Sequence, residues 1–168
     1  MKKYLLLILI LFISLITLKL FFYPDFDKIK NELASKEYVY KTKENWKITY
    51  KTDVEFDRHN KVVFPLTKVA KVKLYTGYFN FSKELNSNDS KEVVKILNDS
   101  SSYEWGESGT FEPNRHLIFY DSNENIIGIT QIDWAMRQTY SAPMNRTMKW
   151  GFLTYKGRDK FFEILEKY

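Results

Sequence analysis

The densest group of chemically useful side chains is Tyr103-Glu104-Trp105-Gly106-Glu107-Ser108-Gly109-Thr110. It brings an aromatic ring, carboxylates and a hydroxyl together around two glycines. Gly106-Glu107-Ser108-Gly109-Thr110 approaches a nucleophile elbow, in which a serine is thrust out of a tight strand-to-helix turn. Thr110 stands where the second glycine belongs, and the pattern has neither a buried parallel strand before it nor a helix after it. The segment reads better as structure: Gly106 and Gly109 permit positive φ in a bulge or turn, and Trp105 packs on a sheet. His59 and His116 are the two side chains that ordinarily titrate near neutrality. Neither sits at a metal-binding spacing. His59 belongs to the polar run Asp57–Asn60, and His116 follows Arg115 at the start of an expected strand. Glu104, Glu107, Asp121 and Asp133 could supply a catalytic carboxylate pair only at a defined separation, which a sequence does not give. No catalytic, metal or cofactor-binding residue is assigned, and with no cysteine there is neither a disulfide framework nor a thiolate site.

Large aromatic and guanidinium side chains are the strongest anchors of protein interfaces. Trp105, Glu107, Arg115, His116, Trp134, Arg137 and Tyr140 all fall in expected loops or strand ends, and they form the expected binding surface. A nucleic-acid partner is not expected. The formal charge is +5, but setting aside Lys2, Lys3 and Lys19 leaves 23 basic against 21 acidic residues. Basic and aromatic residues do alternate in Lys36–Lys51 and Lys68–Phe79, as they do in any strand with one buried face.

The elements that must hold these residues come from hydrophobic periodicity. Phe26, Ile29 and Leu33 predict a helix over Asp25–Lys36, with Asp25 near its start. Strands are predicted at Tyr38–Thr42, at Trp46–Thr52 and, most strongly, at Lys68–Phe79, where Ala70, Val72 and Leu74 alternate with lysines. Asp53–Asn60 reads as a turn or weak strand, and Pro65 reduces Lys61–Leu66 to an edge or irregular strand. Asp89 with Glu92 resembles a capping box and opens a second helix lined by Val93, Val94, Ile96 and Leu97. His116–Tyr120 and Ile126–Asp133 form a hairpin around Asp121–Asn125, and because both strands are apolar on both faces they belong at the centre. Thr147–Thr154 is read as a further strand. A last helix, about Gly157–Lys167, buries Phe161, Ile164, Leu165 and Tyr168. Adjacent strands with short loops and helices in separate blocks give an α+β fold, an antiparallel sheet with helices packed on one face.

Residues 1–23 form a segment distinct from the single domain expected over 24–168. Tyr4–Tyr23 carries one charge, Lys19, near its end. At ~1.5 Å per residue it would span ~30 Å, the hydrocarbon thickness of a bilayer. Pro24 ends it. This is read as a single transmembrane helix, an anchor or uncleaved signal; the large residues at Leu18–Tyr23 suit signal cleavage poorly, and a secreted chain is the alternative. Lys2 and Lys3 favour a cytoplasmic N-terminus and an extracytoplasmic domain, while Lys19, Lys28, Lys30 and Lys36 on the other flank argue the opposite.

Ile96–Leu165, with the loop Trp105–Thr110, the hairpin Leu117–Ile132 and Met148-Lys149-Trp150-Gly151, resembles a group of small uncharacterised bacterial proteins with exported or membrane-anchored N-termini. The resemblance implies a bacterial cell-envelope protein and makes the Trp105 loop a shared feature. It also implies that cysteine often replaces Ser108, which argues against Ser108 as a nucleophile. The function expected is a membrane-anchored extracytoplasmic domain that binds a protein partner in the envelope without catalytic machinery. An immunity or inhibitor role falls within this class. The alternatives are a structural subunit of a membrane assembly and an envelope hydrolase using Glu107, His116 or Asp133.

Overall fold

The computed structural model describes residues 2–22, 24–35, 50–65, 67–76, 81–104, 109–150 and 152–168. Its elements are α1 (Lys2–Phe22), α2 (Phe26–Ala34), α3 (Tyr50–Asn60), β1 (Lys71–Thr76), β2 (Phe81–Glu84), α4 (Ser87–Asn98), β3 (Tyr103–Glu104), β4 (Arg115–Tyr120), β5 (Ile126–Asp133), β6 (Gln138–Ala142), β7 (Phe152–Leu153) and α5 (Tyr155–Leu165). The fold is α+β. Five antiparallel strands form one sheet in the order β2-β1-β4-β5-β6, and β3 pairs with β7 in a second, two-stranded sheet.

The β4–β5 hairpin lies where the sequence places it. Its loop is tied by Asp121, whose Oδ1 accepts from the backbone N–H groups of Asn123 (2.8 Å) and Asn125 (2.9 Å). Such Asx bonds replace ladder bonds where the chain reverses. Glu124 takes a left-handed φ of 63° there and pairs with Lys71 at the start of β1.

Alternation along β4 decides the layers. Leu117 and Phe119 share a face with Val72 and Leu74 of β1 and Ile132 of β5, and they pack with Val93, Ile96 and Leu97 of α4 and Phe161, Phe162 and Leu165 of α5. Ile118 points the other way, beside Ile129 and Ala142, and α2 covers it with Phe26 and Leu33. The expectation of helices on one face is therefore corrected. α4 and α5 occupy one face and α2 the other, because a hairpin apolar on both sides must be covered on both sides.

Local chemistry sets the helix ends. Asp25 caps α2, accepting from the Lys28 N–H at 2.9 Å. α4 begins earlier than the sequence pattern implied. Its cap is Asn86, which accepts from the Asp89 N–H at 2.9 Å, while Asp89 accepts from the Asn86 side-chain amide at 2.8 Å. Asp89 is thus the reciprocal partner in the first turn rather than the cap. The Tyr168 hydroxyl joins them, donating to Asp89 Oδ2 at 2.8 Å and accepting from the Asn86 N–H at 3.0 Å.

Three expected elements differ. Tyr38–Thr42 and Trp46–Thr49 lie outside the described residues, but residues 50–60, expected to close a strand and form a turn, are the helix α3. Tertiary bonds hold α3: buried Asp57 accepts from the Thr147 N–H and hydroxyl, each at 2.9 Å, and the Arg146 guanidinium lies 3.7 Å from the centre of the Phe56 ring. The same contacts turn Thr147–Trp150 into a 3-10 turn, so only Phe152–Leu153 of that expected strand pairs. Lys61–Pro65 forms no strand, and Phe64 instead seats its ring 5.0 Å from Phe119. β6, which was not expected, reads Gln-Thr-Tyr-Ser-Ala and is held by pairing with β5 and by the buried Thr130–Ser141 hydroxyl contact at 2.9 Å.

Among the described residues no helix is long and apolar enough to cross a membrane. The described side chains of α1, residues 4–17, correspond to ~21 Å of helix. All of them are exposed, from 46% at Ile16 to 76% at Tyr4 among the large apolar ones.

Asp57→Ala leaves the buried Thr147 donors without their carboxylate acceptor, and the expected loss of stability is ~1–3 kcal/mol. Urea unfolding of the full chain in detergent measures it.

Candidate functional site

The sheet divides the seven residues of the expected binding surface. Arg115, Trp134 and Arg137 come together beside α5. His116 and Tyr140 project from the opposite face, and Trp105 and Glu107 lie outside the described residues. The period of two along a strand separates neighbours in sequence: Arg115 faces the α5 side and His116 the α2 side.

On the α5 side the side chains stack in series. The Arg115 guanidinium lies 3.3 Å from the centre of the Trp134 ring. Trp134 packs at 4.9 Å on Phe162, and Arg137 approaches the far end of the same column, 5.4 Å from the Phe162 ring centre. Arg137 also donates to Asp159 Oδ1 at 3.3 Å. A guanidinium flat on an indole face gains cation–π attraction while its edge stays available to an anion. Burial lowers the Arg115 pKa and the charge of Glu166 opposes that shift, but a guanidinium stays protonated at working pH. Exposed Met136 sits between Trp134 and Arg137, and Arg137 holds a left-handed φ of 52°. The turn is anchored by buried Asp133, which accepts from the N–H groups of Met136 and Glu112, both at 3.0 Å. Burial alone would raise its pKa; these backbone donors outweigh burial and the net shift is downward. Asp133 is therefore a turn anchor. Asp121 is likewise committed to its loop.

On the α2 side His116 is a core residue rather than a surface one. It is 8% exposed, and its imidazole stacks on Phe26 with ring centres 3.8 Å apart and planes 9° from parallel. Its Nδ1 has no hydrogen-bond partner among the described residues. Burial pushes its pKa down to about 4, with the charge of Asp27 acting in the opposite direction. Tyr75 of β1 pairs with it across the sheet, and Gln131 of β5, also beside it, donates to Asp27 at 3.4 Å. Tyr140 is half-exposed, with Lys30 Nζ 5.8 Å from its ring centre. His59 is exposed in the last turn of α3.

Phe162 is the member of the stack that hydrophobic patterning passed over. It neighbours Phe161 on a helix whose periodicity draws the stripe through Phe161, Ile164, Leu165 and Tyr168; two adjacent phenylalanines are the signal of a wider apolar face. Among the described residues no group of three or more His, Asp and Glu side chains is placed to hold a metal ion. No known protein family, curated protein or solved structure matches this chain.

A double-mutant cycle of Arg115→Ala and Trp134→Ala should give a coupling of ~0.5–2 kcal/mol, the range of a partly desolvated cation–π pair. Denaturant titration of the four proteins measures it. His116 makes a separate prediction. With a folded pKa near 4 against an ordinary 6.5, the unfolded state binds more protons between these values. The contribution from the neutral, stacked imidazole is complete above pH 6.5 and is lost as pH falls toward 4. The melting temperature of the native chain should fall relative to that of His116→Phe over this window, as read by thermal melts at about pH 7, 5.5 and 4.5.

Proposed function

We propose that this protein is a membrane-anchored binding domain of a bacterial cell envelope that engages a protein partner through Arg115, Trp134 and Arg137, which the buried ring of Phe162 supports from beneath. The carrying observation is that cluster: Arg115 at the start of β4 lies over the Trp134 ring, and Trp134 and Arg137, from the turn that also carries exposed Met136, both pack on Phe162 of α5. Aromatic and guanidinium groups fixed in advance lose little side-chain entropy on binding, which is how a small surface becomes a strong anchor.

Anchoring is supported by α1, a helix of 21 residues from Lys2 to Phe22. Its described side chains are apolar on every side, and none is buried against the domain. Such a helix has no core of its own and gains most by entering lipid. Only Tyr23, Pro24 and Asp25 separate it from α2, so a membrane-inserted α1 would hold the sheet close to the bilayer. A tethered binder meets membrane partners at high effective concentration. The short basic start, Lys2-Lys3, favours export of the domain.

The test is a full-length chain with a photo-crosslinking residue at Met136 and a reporter active only outside the cytoplasm after Tyr168. The expected outcome is an active reporter, retention in alkali-washed membranes and one discrete protein adduct that Arg137→Glu abolishes. An adduct of undiminished yield with Arg137→Glu, or a chain released by the alkaline wash, would overturn the reading.

A further inference from the structure

α4 carries two stripes. Val93, Ile96 and Leu97 are buried in the core. Ser87, Ser90, Lys91, Val94, Lys95 and Asn98 recur at intervals of three and one, so they share the adjoining face. That face is one wall of a groove of ≈ 640 Å³. The other wall is the run leading into β1, which contributes Val63, Phe64, Pro65, Val69 and Ala70.

The walls are fixed to each other. Asn98 Oδ1 accepts from the Phe64 N–H at 2.6 Å, and its amide nitrogen donates to the carbonyls of Phe64 and Val94. One side chain thus pairs with the Phe64 backbone as a neighbouring strand would. Phe64 is held in turn by Phe119, and the seat exists because residue 128 is glycine: a Cβ there would stand 3.0 Å from both Phe64 and Pro65. The groove is a built feature of the sheet face.

Its chemistry is one-sided. Among the described residues Lys68, Lys91 and Lys95 line it and no carboxylate does. Of these, Lys95 reaches Glu92 at 3.8 Å. Beyond residue 23 the chain holds 23 basic against 21 acidic residues, so three lysines around one cavity exceed the whole domain's excess of positive charge. The apolar wall stays open to water, with Val63 51% exposed. A cavity of several hundred Å³, apolar within and carrying a few convergent polar groups, has the dimensions and character of a small-molecule site.

We propose that this groove binds an anionic amphiphile, a free single-chain carboxylic acid, with its hydrocarbon along Val63, Val69 and Val94 and its carboxylate at Lys68 and Lys91. A compact ammonium acts as a point charge suited to such a headgroup, and the apolar wall sheds water when the chain enters. The site stands apart from the Arg115 column and does not depend on it.

The full chain in nanodiscs of zwitterionic lipid, labelled at valine methyls, is titrated with octanoate. Saturable shifts of Val63, Val69 and Val94, with a dissociation constant below about 1 mM, are expected, together with no response to octyltrimethylammonium. Lys68→Glu/Lys91→Glu, which alters only solvent-facing charge, should weaken octanoate by roughly tenfold while leaving the spectrum of the core unchanged. The proposal fails if octanoate gives no saturable shift at these methyls, or if the cationic amphiphile binds equally well. It also fails if phosphatidylglycerol in the nanodisc shifts the same methyls and excludes octanoate, or if an acidic apolar peptide does so where octanoate does not. The first of these last two would assign the groove to bilayer lipid, the second to a protein ligand.

Discussion

The two-sided burial of β4 and β5 is the constraint on which the rest of the fold depends. Leu117 and Phe119 need one cover and Ile118 with Ile129 needs another. A sheet made of such strands is stable only as the middle layer of three. α4, α5 and Phe64 form one outer layer, and α2 forms the other. The features singled out above follow from this layering. The Arg115 column is the rim of the first face, the lysine-lined groove is the gap between α4 and the Phe64 run on that face, and the His116 stack is the seat of α2 on the second.

α2 follows α1 almost directly, and it is bonded to the sheet by a buried ring stack, by Leu33 and by Asp27 near Gln131. A neutral imidazole suits this position because it stacks like an aromatic residue, but the arrangement leaves one ring nitrogen unbonded inside the protein, a cost that phenylalanine would not carry.

Arginine and lysine are used differently across the domain. Arg115, Arg137, Arg146 and Arg158 all lie over aromatic rings, where a planar, weakly hydrated cation packs well. The lysines of the groove instead stand at its rim with their ammonium groups in water. The first set builds rigid surface, and the second sets the sign of the field over an apolar trough. Two features with one formal charge type thus differ in what they can recognise.

The sequence by itself determined the α+β class, the central hairpin to within a residue, the Asp25 cap and the apolar character of residues 4–17. Each of these rests on contacts between residues close in the chain, or on a periodicity that local geometry imposes. It also singled out Arg115, Trp134 and Arg137, which the structure brings together beside α5. Only the tertiary structure decided that α3 is a helix, because its hold on Arg146 and Thr147 comes from Phe56 and Asp57, about ninety positions away in the chain. The same is true of the division of Arg115 from His116 across the sheet. Their alternation was legible, but which face would be closed by α2 depended on a helix far upstream in the chain. The groove was the least legible feature. Its walls are an irregular run and the less apolar stripe of α4, and they meet through the amide of Asn98, a residue the sequence marks only as the end of a helix.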